Sequence, residues 1–135
     1  MNEDIRKIVE QYGETWDVDA PQGLIDEVLA VDVVDHNPQP GQAPGIDGMR
    51  NQITLYQAAF PDLHLHNDDI IISGDRAALR WSATGTHAGD QLGVPATHNT
   101  VQFTGIDILR IKNGRVVERW GEANGLEVMQ QIQAI

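Results

Sequence analysis

Apolar residues recur at two different spacings along the chain, and the spacing changes near Pro61. Before that point Ile5, Ile8, Val9 and Tyr12, with Trp16 one turn further on, predict an amphipathic helix over 3–16. Pro21 suits the first turn of a second short helix carrying Leu24, Ile25, Val28 and Leu29. VDVVDHNP (31–38) reads as a short strand stopped by Pro38, and QPGQAPG (39–45) as a loop with no apolar anchor. Asp47 is placed to cap a third helix with Met49, Ile53, Tyr56 and Phe60 as its buried stripe, closed by Pro61.

Beyond Pro61 the period is that of strands. LHLHNDDIIISG (63–74), RAALRWSATGTH (76–87), TVQFTGIDILRI (100–111) and RVVERWGEA (115–123) are rich in β-branched and aromatic residues. Gly74-Asp75 and Asn113-Gly114 mark two hairpin turns, and GLEVMQQIQA (125–134) predicts a closing helix or turn. The plan is α+β: about three N-terminal helices on one face of a curved, mainly antiparallel sheet, with residues 1–135 as one domain. A sheet curled over helices makes a cone whose mouth admits a ligand, and alternate residues line its interior. In VVERWGEANG (116–125), Glu118, Trp120, Glu122 and Asn124 share one face. An indole between acids is out of place in solvent, so this set is expected to face the cavity.

Charge and composition narrow the partners. A net charge of −11 argues against nucleic acid and against anionic membrane. No run approaches the ~18 apolar residues of a membrane span. MNEDIRKIVEQYG lacks a signal-peptide core and the chain has no cysteine, which points to the cytoplasm. The expected partner is a small, neutral or weakly polar molecule.

Five segments in order carry a family likeness: VVDHNP (33–38), AAFPDL (58–63), RAALRWSATGTHAG (76–89), GIDILRIKNGRVVERW (105–120) and LEVMQQI (126–132). In them the chain resembles the SnoaL-like polyketide cyclase branch of the nuclear-transport-factor-2-like superfamily, over roughly residues 5–133. The resemblance implies a cone-shaped fold with a deep apolar pocket and a homodimer through the outer sheet face. It also implies cyclase or isomerase acid/base chemistry, without cofactor or metal, on a small apolar or polyketide-like carbonyl compound. In such cyclases the working carboxylate follows the last-strand Trp closely, with a His nearby. Glu122, two after Trp120, stands in a position of that kind. The chain departs from the pattern with Arg119 where EHW is common, with Gly121 where an acid often follows the Trp, and with PATHNT (95–100) in place of a PATG-type turn.

Each candidate has a bland alternative. Glu122, desolvated beside Trp120, is poised to trade a proton near neutral pH; otherwise it is a solvated acid at a strand end. Asp107 faces the interior if Leu109 and Ile111 do, and there it needs a partner or a function. In the opposite phase Ile106 and Ile108 pack inward, and Asp107 meets solvent or Arg119. His36, in Asp35-His36-Asn37, is placed to donate to a carbonyl oxygen or to brace a loop. Trp120, Asn124, Trp16, Tyr12, Tyr56 and Phe60 are expected to form pocket wall or core.

One of Arg80 and Trp81 faces inward. A buried Arg80 would seek Asp107 or Glu122, and an Arg between two acids is the epoxide-hydrolase arrangement of a sister family, although Ser82 stands where an Asp would be wanted. His64 and His66 share a strand face without a third ligand at a recognisable spacing. His87 and His98 flank AGDQLGVPAT (88–97), a loop expected to cover the mouth. Nucleotide-binding, serine-hydrolase and zincin motifs are absent. The resemblance makes a cofactor-free cyclase or isomerase the leading function. Its alternatives are an epoxide hydrolase or hydratase, and a binding module without catalysis.

Overall fold

A computed structural model describes residues 2–133, with side chains from Asp4 onward. The elements run α1 (Asn2–Glu14), α2 (Leu24–Val28), β1 (Leu29–Asp35), α3 (Gly45–Ala59), β2 (His64–Ser73), β3 (Arg76–Thr86), β4 (Thr100–Lys112), β5 (Arg115–Ala123) and α4 (Gly125–Gln131). The sheet order is β1-β5-β4-β3-β2, antiparallel throughout except that β1 lies parallel to β5.

Local chemistry sets most boundaries. The stripe of α1 buries Val9 and Tyr12, and Ile5, Ile8 and Trp16 pack beside them. α2 is little more than one turn; Leu29 is already extended at φ −98° and opens β1 rather than closing the helix. α3 starts two residues before Asp47, because Gly45 turns the chain at φ 73° where a Cβ would lie 2.8 Å from the Val31 carbonyl oxygen. Its N-cap, Pro44, makes no side-chain bond, and Asp47 sits in the first turn, where its charge suits the helix dipole. The β4–β5 hairpin turns on Asn113 and Gly114 at φ 53° and 77°, both positive as a tight primed turn requires. Asn124 caps α4 by accepting from the Glu127 amide at 3.1 Å. Residue 134, the end of the expected closing segment, lies outside the described residues.

One irregularity decides which side chains face the cone. β4 and β5 pair Ile111 with Val116, then Arg110 with Glu118, so Val117 is an extra residue on β5. Val116 is buried before this bulge. After it the phase is reversed: Arg119, Gly121 and Ala123 line the interior, and Glu118, Trp120 and Glu122 point outward. Plain alternation from Val116 predicts the opposite set, and the bulge is the physical reason that expectation fails. Trp120 is instead flanked on the outer face by the His36 ring, stacked at 4.5 Å, and by the Arg76 guanidinium at 5.0 Å.

Candidate active site

The cone holds a cavity of about 770 Å³, its open mouth included. Trp16, Tyr56, Leu63, Leu65, Leu79, Ala83 and Phe103 make most of its wall apolar. Its ionisable lining consists of Asp107 from β4, Arg119 from β5 and the phenols of Tyr12 and Tyr56.

Asp107 is 2 % exposed, and donors from three other elements converge on it. Its Oδ2 accepts from the Tyr12 hydroxyl of α1 at 2.6 Å and from Arg119 Nε of β5 at 3.0 Å. Its Oδ1 accepts from the Trp81 indole of β3 at 3.2 Å. A charge this deep is tolerable only because every contact is a donor and one donor is cationic.

Arg119 has a second acid. Its Nη1 donates to Asp35 Oδ2 at 3.0 Å, so the guanidinium bridges two carboxylates. The Trp16 ring lies 5.8 Å from its Cζ. The guanidinium folds back over Gly121, the register partner of Asp107, and occupies the space that a Cβ at position 121 would need. Glycine at 121 is therefore a condition for this placement of Arg119. Nη2, the nitrogen nearest that Cβ position, lies over the cavity-lining Gly121.

Burial alone would weaken the guanidinium as a base, but Tyr12, Asp107 and Asp35 more than offset it and raise its pKa, so Arg119 is a fixed cation. Burial, above all, pushes the Tyr12 phenol well above its ordinary range; Arg119 pulls the other way and Asp107 adds to the rise. Tyr12 is accordingly a neutral donor and not a base. Tyr56 is raised as well, by burial.

The sequence-derived candidates separate into two groups. Tyr12, Trp16, Tyr56, Trp81 and Asp107 line the cavity, Asp107 in the phase shared with Leu109 and Ile111. The others lie elsewhere. Glu122 is exposed and within 3.4 Å of the Asn37 amide. His36 bonds Glu118 at 3.0 Å on the outer face, and Trp120 stacks on it. Arg80 reaches Asp68 at 3.8 Å, because its neighbour Trp81 takes the inward position. Asn124 is a cap, and Phe60 is fully buried against Phe103 and His87 rather than lining the cavity. None of residues 88–97 lines the cavity either; Leu92 and Val94 of this loop pack against the core. His87 braces the loop, accepting from the Thr97 amide at 3.2 Å.

Arg119, Asp35 and Gln42, a lining residue whose side-chain amide donates to Asp35 at 2.9 Å, went unrecognised as site residues. The available signal was electrostatic: an inward Asp107 demands a cation, and Arg119 stands two residues from its register partner Gly121. Away from the cavity, Asp17, Asp19 and His64 bring their ligand atoms within 4.8 Å of one another. The Asp17 carboxylate there already accepts from the amides of Asp19 and Leu65.

Helices over a curved five-stranded sheet, with an acid inside the cone, define a protein of the nuclear-transport-factor-2-like fold. Residues 6–132 match the SnoaL-like polyketide cyclase family, and the chain belongs to that family. It is similar to the aklanonic acid methyl ester cyclase DauD of Streptomyces sp. (strain C5), at 25 % identity over 113 residues, 83 % of this chain and 68 % of that one. Among solved structures it is similar to TsrD from Streptomyces laurentii, with 27 % identity and a TM-score of 0.89 over 100 % of this chain and 98 % of that one. It is also similar to IdmH from Streptomyces antibioticus, with 28 % identity and a TM-score of 0.82 over 96 % and 98 %.

Proposed function

We propose that this chain is a cofactor-independent acid/base enzyme that cyclises or isomerises a small, largely apolar carbonyl compound, working as a cytoplasmic homodimer. The observation that carries the reading is the Asp107 carboxylate, buried at the cavity and tied to a guanidinium and a phenol. Its Oδ1, which accepts from Trp81 alone among the described residues, takes a proton from the carbon next to a carbonyl. The C–H electron pair moves onto the carbonyl oxygen, which Arg119 Nη2 meets as charge develops. The enolate carbon then bonds to a second carbonyl carbon of the same molecule. The oxygen released from that double bond recovers the proton from Asp107. Electrons balance without an oxidant or reductant.

The relative named for aklanonic acid methyl ester supports a neutral, polyketide-like ester as the substrate class. On the outer sheet face Ile106 and Ile108 are 51 % and 42 % exposed beside Trp120, which supports a dimer contact there. The test is deuterium incorporation next to the carbonyl of neutral aryl keto-esters in D₂O. Wild-type protein is expected to accelerate it and Asp107→Asn to lose at least ~100-fold. Equal rates in the two proteins would sink the reading.

A second reading has one specific observation behind it. Arg119 lies 3.0 Å from each of two acids, the acid–Arg–acid arrangement associated above with epoxide hydrolases. Hydrolysis of styrene oxide, lost in Asp35→Asn and Asp107→Asn alike, would favour this reading over cyclisation. A protein that binds aryl esters and turns over neither substrate would be a binding module.

A further inference from the structure

The two acids that hold Arg119 are themselves held very differently. The other donors to Asp107 come from a helix and a strand, Tyr12 on α1 and Trp81 on β3. The other donors to Asp35 come from the loop that follows β1: the Asn37 amide to Oδ1 at 3.0 Å, and the Gln42 side chain to Oδ2 at 2.9 Å. That Oδ2 is the same oxygen that accepts from Arg119 Nη1.

At its start the loop is also tied to β5, where the Asn37 side-chain oxygen accepts from the Gly121 amide at 3.0 Å; beyond Asn37 its inward hold is Gln42. From His36 to Pro44 every residue is exposed except Gln42. A loop of this composition would ordinarily be pinned by one apolar side chain. Here the inward residue is an amide, and both of its ends are engaged: Nε2 with Asp35, and Oε1 with the Gln39 backbone amide at 3.0 Å. Gln39 and Gln42 also line the cavity mouth, with Asn37. A hydrogen bond to a buried carboxylate is of the stronger, charge-assisted kind, so the clamp is worth more than its single bond suggests.

We propose that Gln42 is a positioning residue: it couples the seated position of the mouth loop to the orientation of the Arg119 guanidinium. With Gln42 in place, Asp35 is fixed from the loop side and holds Nη1, so Arg119 is gripped at two points and Nη2 stays over Gly121. When the loop lifts, Asp35 loses a donor and the grip on Nη1 loosens, while the Nε–Asp107 bond remains. A ligand that seats against Gln39 and Gln42 therefore sets the cation that meets its own carbonyl oxygen. This inference rests on the reading of Asp107 and Arg119 as the working pair.

The test needs no substrate. In Gln42→Leu and Gln42→Ala, the Arg119 Nε–H resonance is followed by ¹⁵N NMR, with the Trp81 indole N–H as the reporter on Asp107. The Arg119 signal is expected to shift and its solvent exchange to quicken about tenfold, the loss of one hydrogen bond to a charged group, while the Trp81 signal stays in place. Reciprocally, Asp35→Asn should quicken exchange at the Asn37 and Gln39 amides. An unchanged Arg119 signal, or a Trp81 signal that moves as far, overturns the proposal. So does loss of the fold in both Gln42 variants, which would make the residue a structural brace. A failure of Asp107→Asn to affect turnover bears on the acid/base reading, and is thus distinguishable from failure here.

Discussion

Asp107 and Gly121 face each other across β4 and β5, and the guanidinium of Arg119 lies in the space the glycine leaves open. Position 121 is empty of side chain, the carboxylate stands on the neighbouring strand, and a cation fills the gap. Gly121→Ala places a methyl group inside the guanidinium, a change of the overpacking kind that costs about 1–3 kcal/mol. Thermal denaturation should show that loss. The Arg119 Nε–H resonance should move in the same variant, and an unmoved resonance would contradict the geometry.

The reversed phase of β5 separates two carboxylates that plain alternation would interchange. Asp107→Asn should lower turnover by at least ~100-fold and destabilise the fold by about 3 kcal/mol, since it weakens a buried ion pair. Glu122→Gln, at an exposed position, should stay within about 0.5 kcal/mol and leave turnover near wild type. Paired steady-state assays and urea melts decide it; the opposite ranking would mean that the strand faces the other way.

Deleting Val117 removes the bulge. Glu118 then follows Val116 directly, and simple alternation keeps Glu118, Trp120 and Glu122 outward and Arg119 beside Asp107. The deletion should therefore keep the buried pair and cost little more than Val117→Ala. A urea midpoint lowered by the equivalent of about 3–5 kcal/mol, the cost of a broken buried pair, would contradict this phase.

Tyr12 makes alkaline stability measurable. Its folded pKa lies well above the ordinary 10.0, chiefly through burial, so between those values the folded protein keeps a proton that the unfolded chain releases. The associated stability is complete below pH 10.0 and is lost as pH rises toward the folded value. Tyr12→Phe should cost about 1–3 kcal/mol near neutrality, because Asp107 loses a donor, yet show a shallower fall in urea midpoint from about pH 9 to about pH 11. Tyr56 shifts in the same direction, so the slope should diminish without vanishing.

The outer sheet face gives the last prediction. Ile108 sits opposite Trp120 on that face and is 42 % exposed. Ile108→Glu should yield a monomer by sedimentation velocity if copies meet there, because like charges opposite one another across such an interface repel. Persistence of a dimer in this variant would place the contact elsewhere.

Local chemistry fixed much of this protein ahead of any structure. The spacing of Ile5, Ile8, Val9 and Tyr12 made a helix and Asn113-Gly114 made a hairpin, while the alternation around Leu109 and Ile111 offered Asp107 an inward phase without deciding it. Such features depend on neighbours a few residues away, and period and turn geometry are written at that range. Which face of β5 meets the cavity was not. A one-residue bulge leaves no mark in composition, and it exchanged Glu118, Trp120 and Glu122 for Arg119 and Gly121. The pairing of Arg119 with both Asp107 and Asp35 depends on β1 lying beside β5, a contact 84 residues apart in the chain. Only the closed sheet could decide it, because a buried carboxylate selects its cation through space.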